Sequence, residues 1–105
     1  MKIAEPRLRE VLRAAGWPER ELNRALEIAY LESRWNPRAI NKKDPSGGSY
    51  GLFQINGWWK YYGDIEIGEA LDSTLALRPL YNARYALRIW RKRGWKAWST
   101  ARYVA

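Results

Sequence analysis

Apolar residues recur at helical spacing in two segments near the start of the chain. Residues 5–15 place theirs on one face and are followed by Gly16, which can end a helix in the left-handed conformation. Pro18 can open a second helix, which we expect to span about residues 18–34. Its buried face would consist of Leu22, Ala25, Leu26 and Ala29.

The middle of the chain is rich in turn-forming residues. Residues 41–48 contain asparagine, aspartate, proline, serine and two glycines, and residues 50–56 follow as a short extended run. We therefore expect a small hairpin of two or three strands. The aromatic residues Trp58, Trp59, Tyr61 and Tyr62 come next, closed by Gly63, and residues 64–68 are expected to form a loop.

The last third returns to helical periodicity. Asp72 or Ser73 is expected to cap a short helix through residue 77, and Pro79 to open a longer helix that reaches about residue 92. The longer helix is apolar over a wide face, which predicts that it is the central buried helix. Ser99 is expected to cap a last helical turn through residue 103.

Composition narrows the class of protein. A chain of 105 residues suits a single domain over residues 1–105, and seven tryptophans with seven tyrosines exceed what a small core needs. The formal net charge of +8 favours attraction to polyanions such as nucleic acid or an anionic cell wall. We expect a monomer with no membrane span, and the N-terminus lacks the apolar region of a signal peptide.

The chain contains neither cysteine nor histidine. Disulfides, thiol chemistry, histidine-based triads and histidine-ligated zinc are therefore excluded, and we expect neither a metal nor a cofactor. Acid–base chemistry would have to come from carboxylates, tyrosine or lysine.

Glu32 is the best candidate for that chemistry. It lies in the last turn of the second predicted helix, at the border of the apolar face. Partial burial and the negative end of the helix dipole both disfavour the carboxylate anion, so the pKa should be raised. Such an acid could protonate a glycosidic oxygen. The alternative is a surface glutamate paired with Arg34 or Arg38.

Polar and aromatic residues after Glu32 suit a sugar ligand. Gln54 and Asn56 are two residues apart and would share a strand face, where their amides could bind hydroxyl or acetamido groups. Trp58 and Trp59 could stack on sugar rings, since an adjacent pair is hard to bury completely. The alternatives are ordinary hairpin polarity for the amides and a core position for the indoles.

Two motifs carry a family resemblance: E-S-R-W-N-P-R-A-I-N from Glu32, and S-Y-G-L-F-Q-I-N-G-W-W from Ser49. With the later P-L-Y-N-A-R-Y-A run, they resemble the lysozyme-like superfamily, in particular the soluble lytic transglycosylase module, goose-type lysozymes and phage endolysins. The second motif is also similar to chicken-type lysozymes. The resemblance extends from about residue 25 to residue 103.

The resemblance implies a mainly helical α+β fold of two lobes, with a small β-hairpin flanking a substrate cleft. It implies cleavage of the β-1,4 bond between N-acetylmuramic acid and N-acetylglucosamine in peptidoglycan, with Glu32 in the position of the catalytic acid. By the same match, the substrate-binding residues would be Ser49, Tyr50, Gln54, Asn56, Trp58, Trp59 and Tyr103.

One position departs from the chicken-type pattern. Those lysozymes carry an aspartate directly before the Y-G pair, where this chain has Ser49. Serine cannot supply an anion. This chain resembles lytic transglycosylases here, which have a single glutamate and a serine near this place. In those enzymes the substrate's own acetamido or 6-hydroxyl group completes the reaction. An inverting hydrolase would need a second carboxylate. Asp44 is the best-placed candidate, followed by Asp64 and Glu66.

The sequence leaves three functions open: a peptidoglycan hydrolase or lytic transglycosylase, a basic module that binds cell wall or nucleic acid without catalysis, and a chitin-cleaving relative. Basic residues are spread along the chain and are not interleaved with aromatics on a predicted sheet, which disfavours specific nucleic-acid binding. We expect action at the cell wall, in the periplasm or outside the cell, and attraction to anionic wall polymers. The lack of a signal peptide favours a phage-encoded protein that is released at lysis.

Overall fold

The computed structural model describes residues 1–104, which form four α-helices and a very small antiparallel sheet. The helices are α1 (Glu5–Ala15), α2 (Leu22–Ser33), α3 (Trp58–Ile67) and α4 (Pro79–Arg93). The strands are β1 (Ile40–Asn41), β2 (Ser49–Tyr50) and β3 (Ile55–Asn56), in the order β1-β2-β3. Short 3₁₀ helices occupy Glu19–Glu21, Leu75–Leu77, Trp95–Ala97 and Ser99–Tyr103. The mainly helical α+β fold expected from the sequence is confirmed.

Helices α1 and α4 match their predicted bounds because their signals are local. Gly16 closes α1 with a φ of 101°, and Pro79 opens α4 at its first turn. Asp72 accepts hydrogen bonds from the backbone N–H groups of Thr74 and Leu75, as expected of a cap. The second helix begins later than predicted, because residues 19–21 form a 3₁₀ turn before α2.

An aromatic cluster joins the helices to the hairpin. Trp17 is buried, its Nε1 donates to the Ala83 carbonyl of α4 at 2.9 Å, and its ring stacks on Phe53 and Trp95. Trp98 donates from Nε1 to the Phe53 carbonyl at 2.9 Å. Both indole N–H groups are thus satisfied inside the core, so the rings contribute apolar burial without an unpaired donor.

The prediction of one extended run over residues 50–56 is wrong, because only its two ends are strands. Gly51 and Gln54 adopt positive φ values of 76° and 47°. The chain turns around Asn82 of α4, which is fully buried and donates to the carbonyls of Tyr50 and Ala76 while accepting from Phe53 N–H. A distant side chain therefore satisfies the backbone that a longer strand would have paired.

The loop predicted for residues 64–68 is also wrong, because residues 64–67 belong to α3. Gly63, which was expected to close the aromatic run, lies inside the helix, and a Cβ there would collide with the Tyr85 hydroxyl and the Glu69 carbonyl. That hydroxyl donates to the Glu69 carbonyl at 2.6 Å. Gly63 is therefore required by close packing, and the helix ends at Gly68 with a φ of 83°.

Candidate active site

Glu32 lies in the last turn of α2, partly buried beside the apolar face that holds Ile28 and Ala29. Directly after the helix, Arg34 and Trp35 have φ values of 55° and 62° and turn the chain away. Within residues 1–104, neither Arg34 nor Arg38 forms an ion pair with Glu32, and Arg34 instead lies over the Tyr30 ring. The surface ion pair considered from the sequence is thus absent.

Burial raises the pKa of Glu32 above its ordinary value, as the sequence predicted. The Thr100 hydroxyl opposes that shift, because it donates a hydrogen bond of 2.6 Å to Oε2 and so favours the anion. The negative charge of Asp44 acts in the same direction as burial and raises the pKa further. Burial and Asp44 thus favour the protonated carboxyl group, and the Thr100 hydroxyl reduces the size of the pKa shift.

Thr100 is the site residue that sequence reasoning missed. It lies in the 3₁₀ helix Ser99–Tyr103, 68 positions from its partner. No spacing rule links a threonine near the C-terminus to a glutamate in the second helix. The one available signal is its place directly after Ser99, the residue predicted to begin the last helical turn.

The three candidate second carboxylates are placed differently. Asp44 lies between β1 and β2, accepts from Asn41 Nδ2 at 3.0 Å and is close enough to perturb Glu32. Asp64 and Glu66 lie on α3 instead, where Glu66 pairs with Arg93 at 2.5 Å. Of the three, Asp44 alone is among the causes of the Glu32 pKa shift.

The hairpin residues bind one another through their polar groups. Ser49 is 3% exposed and pairs across the sheet with Asn56. Asn56 Nδ2 donates to the Pro45 carbonyl at 2.8 Å, and its Oδ1 accepts from Trp58 N–H. The Tyr50 hydroxyl donates to the Gly47 carbonyl at 2.5 Å. These bonds fix the turn between β2 and its neighbours.

Gln54 and Asn56 meet at a small cavity, although they do not share a regular strand. Gln54 Nε2 donates to the carbonyls of Ala39 and Gly51, both at 3.0 Å. The cavity has a volume of about 70 Å³ and lies between the hairpin and the C-terminal segment. Its lining residues are Gln54, Ile55, Asn56, Trp59, Ile89, Ala97 and Trp98.

The tryptophan pair lies at the start of α3 and not in a loop. Trp59 is 6% exposed and lines the small cavity, while Trp58 is partly buried and packs against Tyr62 at 4.6 Å between ring centroids. The Arg93 guanidinium lies 5.0 Å from the Trp58 ring and 4.9 Å from the Trp59 ring. Arg93 thereby makes a cation–π contact with both indoles.

Tyr103 lies apart from the hairpin residues. It is 70% exposed and lines a larger cavity of about 480 Å³ between α1 and α2. Trp98 and Tyr103 flank Thr100 along the chain, so the short C-terminal segment touches the small cavity, Glu32 and the large cavity in turn.

In residues 1–104, no three carboxylates gather into a group that could hold a metal ion. None of the helices in this described part combines the length and apolar character needed to cross a bilayer. Glu32 lines neither cavity itself, but it binds Thr100, which lies between Trp98 of the small cavity and Tyr103 of the larger one. The arrangement as a whole can donate a proton from a partly buried carboxyl group.

Comparison with known proteins gives two matches. Residues 9–100 match the family model described as a lysozyme-like domain. The chain is also 31% identical over 97 residues to Lysozyme 2 of Lucilia sericata, an alignment that covers 84% of this chain and 67% of that protein.

Proposed function

The chain belongs to the lysozyme-like domain family, and on that premise we propose that it cleaves the β-1,4 bond between N-acetylmuramic acid and N-acetylglucosamine in bacterial peptidoglycan. Glu32 acts as the general acid. The observation that carries the proposal is the environment of Glu32, where burial and the charge of Asp44 favour the neutral acid and neither Arg34 nor Arg38 pairs with it in residues 1–104.

The reaction begins with proton transfer from Glu32 to the glycosidic oxygen. The bond between that oxygen and the anomeric carbon breaks, the leaving sugar departs as an alcohol, and positive charge develops on the remaining ring. Glu32 is then a carboxylate and can take a proton from the group that attacks the anomeric carbon. If water attacks, the product has a reducing end.

The substrate would lie along the wall formed by the hairpin and α3. The small cavity of about 70 Å³ suits one compact substituent, such as the acetamido group of an amino sugar, lined by Gln54, Asn56 and two indoles. Trp58 would present the exposed part of its ring to a sugar face. The hydrogen bonds inside the hairpin would hold this wall rigid as the glycan binds.

Ser49 favours a second outcome, lytic transglycosylation. It stands where a chicken-type lysozyme has an aspartate, and it is buried against Asn56, so it supplies no anion. The muramic acid 6-hydroxyl would then attack the anomeric carbon and lose its proton to Glu32, which gives a 1,6-anhydro end. Asp44 supports hydrolysis instead, because it could activate water as a second carboxylate.

Two experiments test the proposal. Glu32→Gln should lower the rate of release of soluble fragments from purified walls by roughly 10²–10⁴-fold, the usual contribution of a positioned acid. The matched control is Glu10→Gln, which makes the same substitution at an exposed position of α1 and should retain activity. Lysis by Glu32→Gln at the wild-type rate would refute the assignment.

Mass spectrometry of the fragments separates the two reactions: reducing ends indicate hydrolysis and 1,6-anhydro ends indicate transglycosylation. Chitin oligomers in the same assay test the alternative substrate. Strong wall binding without any fragment release by the wild type would support the non-catalytic binding module. Such binding should weaken steeply with salt, because the net charge of +8 would drive attraction to anionic wall polymers.

The proposal also places the protein at the cell wall, in the periplasm or outside the cell, acting as a monomer. Peptidoglycan, the expected substrate, occurs at these locations. Sedimentation of the purified protein tests the oligomeric state.

A further inference from the structure

Arg93, the last residue of α4, lies against both members of the tryptophan pair. Its Cζ is 5.0 Å from the centre of the Trp58 ring and 4.9 Å from that of the Trp59 ring. The two indoles are themselves T-shaped, with centroids 5.0 Å apart and planes at 83°. One guanidinium therefore sits in the angle between two rings, and each ring attracts its charge.

Glu66 of α3 holds this guanidinium. Arg93 donates from Nη2 to Glu66 Oε1 at 2.5 Å, and this hydrogen bond lowers the pKa of Glu66, so the pair remains charged at neutral pH. A guanidinium is planar, and its N–H groups can bind a carboxylate while its face lies on an aromatic ring. A lysine ammonium cannot combine the two contacts in this way, so arginine is the side chain that suits this place.

Trp58 depends on Arg93 more than Trp59 does. Among residues 1–104, the ring and cation contacts of Trp58 are made by Trp59, Tyr62 and Arg93. The first two belong to the same helix as Trp58, so Arg93 supplies the contact from another helix. Trp59 is buried and also packs edge-on against Tyr85 of α4, at 6.3 Å between ring centroids. Loss of Arg93 should therefore reorient Trp58 in particular.

We propose that Arg93, held by Glu66, is a positioning residue that orients the Trp58 ring for stacking on a sugar of the glycan. This inference rests on the proposed function, in which Trp58 presents the exposed part of its ring to the substrate. It also gives a role to Glu66, one of the carboxylates considered from the sequence as a second catalytic group. Glu66 acts through Arg93 on substrate binding and takes no part in the chemical step.

Steady-state kinetics on a soluble glycan test the role of Arg93. Arg93→Met keeps an apolar stem and removes the guanidinium. It should raise KM by about two- to fivefold with kcat unchanged, because stacking stabilises the bound substrate and the transition state alike, and an exposed cation–π contact corresponds to that fold-change. Arg93→Lys keeps the charge and should restore part of the loss.

The matched control is Arg91→Met, which removes the same charge from an exposed position in the same last turn of α4 and should keep the wild-type KM. An Arg93 that only stabilises the fold would lower Tm in Arg93→Met and leave KM at the wild-type value. That result would overturn the proposal.

A double-mutant cycle tests whether Glu66 acts through Arg93. Glu66→Gln alone should raise KM, whereas the same substitution in the Arg93→Met protein should have no further effect. Independent, additive effects on KM would contradict the link between the two residues. A fall in kcat with unchanged KM in Glu66→Gln would indicate a catalytic base and would also overturn the proposal.

A binding measurement separates this inference from the proposed function. Glu32→Gln protein, with and without Arg93→Met, is titrated with a tetrasaccharide of alternating N-acetylglucosamine and N-acetylmuramic acid, and the indole N–H signals are followed by NMR. Arg93→Met should move the Trp58 signal of the free protein more than that of Trp59 and raise Kd by about two- to fivefold. An unmoved Trp58 signal or an unchanged Kd would refute the role of Arg93 alone. Absence of binding with Arg93 intact would instead refute the proposed function.

Discussion

Replacing Thr100 by valine should move the alkaline side of the pH–activity profile. The hydroxyl donates to Glu32 Oε2 at 2.6 Å and stabilises the anion, so its removal raises the pKa of Glu32 further. A general acid must be protonated to act, and kcat/KM falls as pH rises through its pKa in the free enzyme. In Thr100→Val, that fall should occur at higher pH than in the wild type.

The size of the effect follows from the environment of the bond. A hydrogen bond to a charged group contributes about 1.5–3 kcal/mol. Both partners are only partly buried, so water can replace part of that bond after the substitution. We therefore take about 1 kcal/mol as the free energy by which the Thr100 bond stabilises the Glu32 anion. At alkaline pH, the activity of Thr100→Val relative to its own maximum should exceed the wild-type value by about fivefold, since 1.4 kcal/mol corresponds to tenfold.

The assay is kcat/KM for a soluble glycan substrate measured across the pH range at constant ionic strength. Thr100→Ser keeps the donor and should retain the wild-type profile, which separates the hydrogen bond from packing effects. A Thr100→Val profile that superimposes on that of the wild type, or moves to lower pH, would refute the reasoning.

Three further predictions concern stability. Because its pKa is raised by burial, Glu32 destabilises the folded state as pH rises above its ordinary value of 4.5. The melting temperature of Glu32→Gln relative to the wild type should therefore be higher at pH 7 than at pH 4, and calorimetry showing the opposite order would contradict this. Asn82→Ala leaves buried backbone groups unpaired, so it should lower the free energy of unfolding by about 3 kcal/mol and Tm by more than about 10 °C. A loss below about 1 kcal/mol in urea unfolding would show that Asn82 does not hold this backbone in place. Gly63→Ala should cost about 1–3 kcal/mol, because its Cβ would clash with the Tyr85 hydroxyl and the Glu69 carbonyl. Tyr85→Phe should recover part of that loss in a double-mutant cycle, and strictly additive effects would contradict a contribution from the hydroxyl.

The elements that the sequence predicts well are those with local signals. Helix α1 is bounded by a periodic apolar face and Gly16, and α4 begins at Pro79, so neighbouring residues decide both. The same local logic fails at Gly63, because the reason for that glycine is the hydroxyl of Tyr85, 22 positions away in the chain. A glycine needed for close packing looks the same in sequence as one that ends a helix.

In the candidate site, too, features set by neighbouring residues could be predicted, whereas contacts between distant segments could not. The environment of Glu32 could be predicted, because its place on the border of an amphipathic helix follows from spacing alone. The hydrogen bond from Thr100 and the organising role of Asn82 depend on tertiary packing between distant segments. Tyr103, a predicted substrate-binding residue, lines the larger cavity between α1 and α2 and not the small cavity beside the hairpin, a placement that no local pattern indicates.

The most direct measurement of the central claim is an NMR titration of the Glu32 side-chain carboxyl carbon in the free protein, assigned by comparison with Glu32→Gln. We predict that this carbon titrates with a midpoint clearly above 4.5, the ordinary pKa of a glutamate. A midpoint at or below that value would show an ordinary ionised carboxylate and would contradict the role of Glu32 as the proton donor.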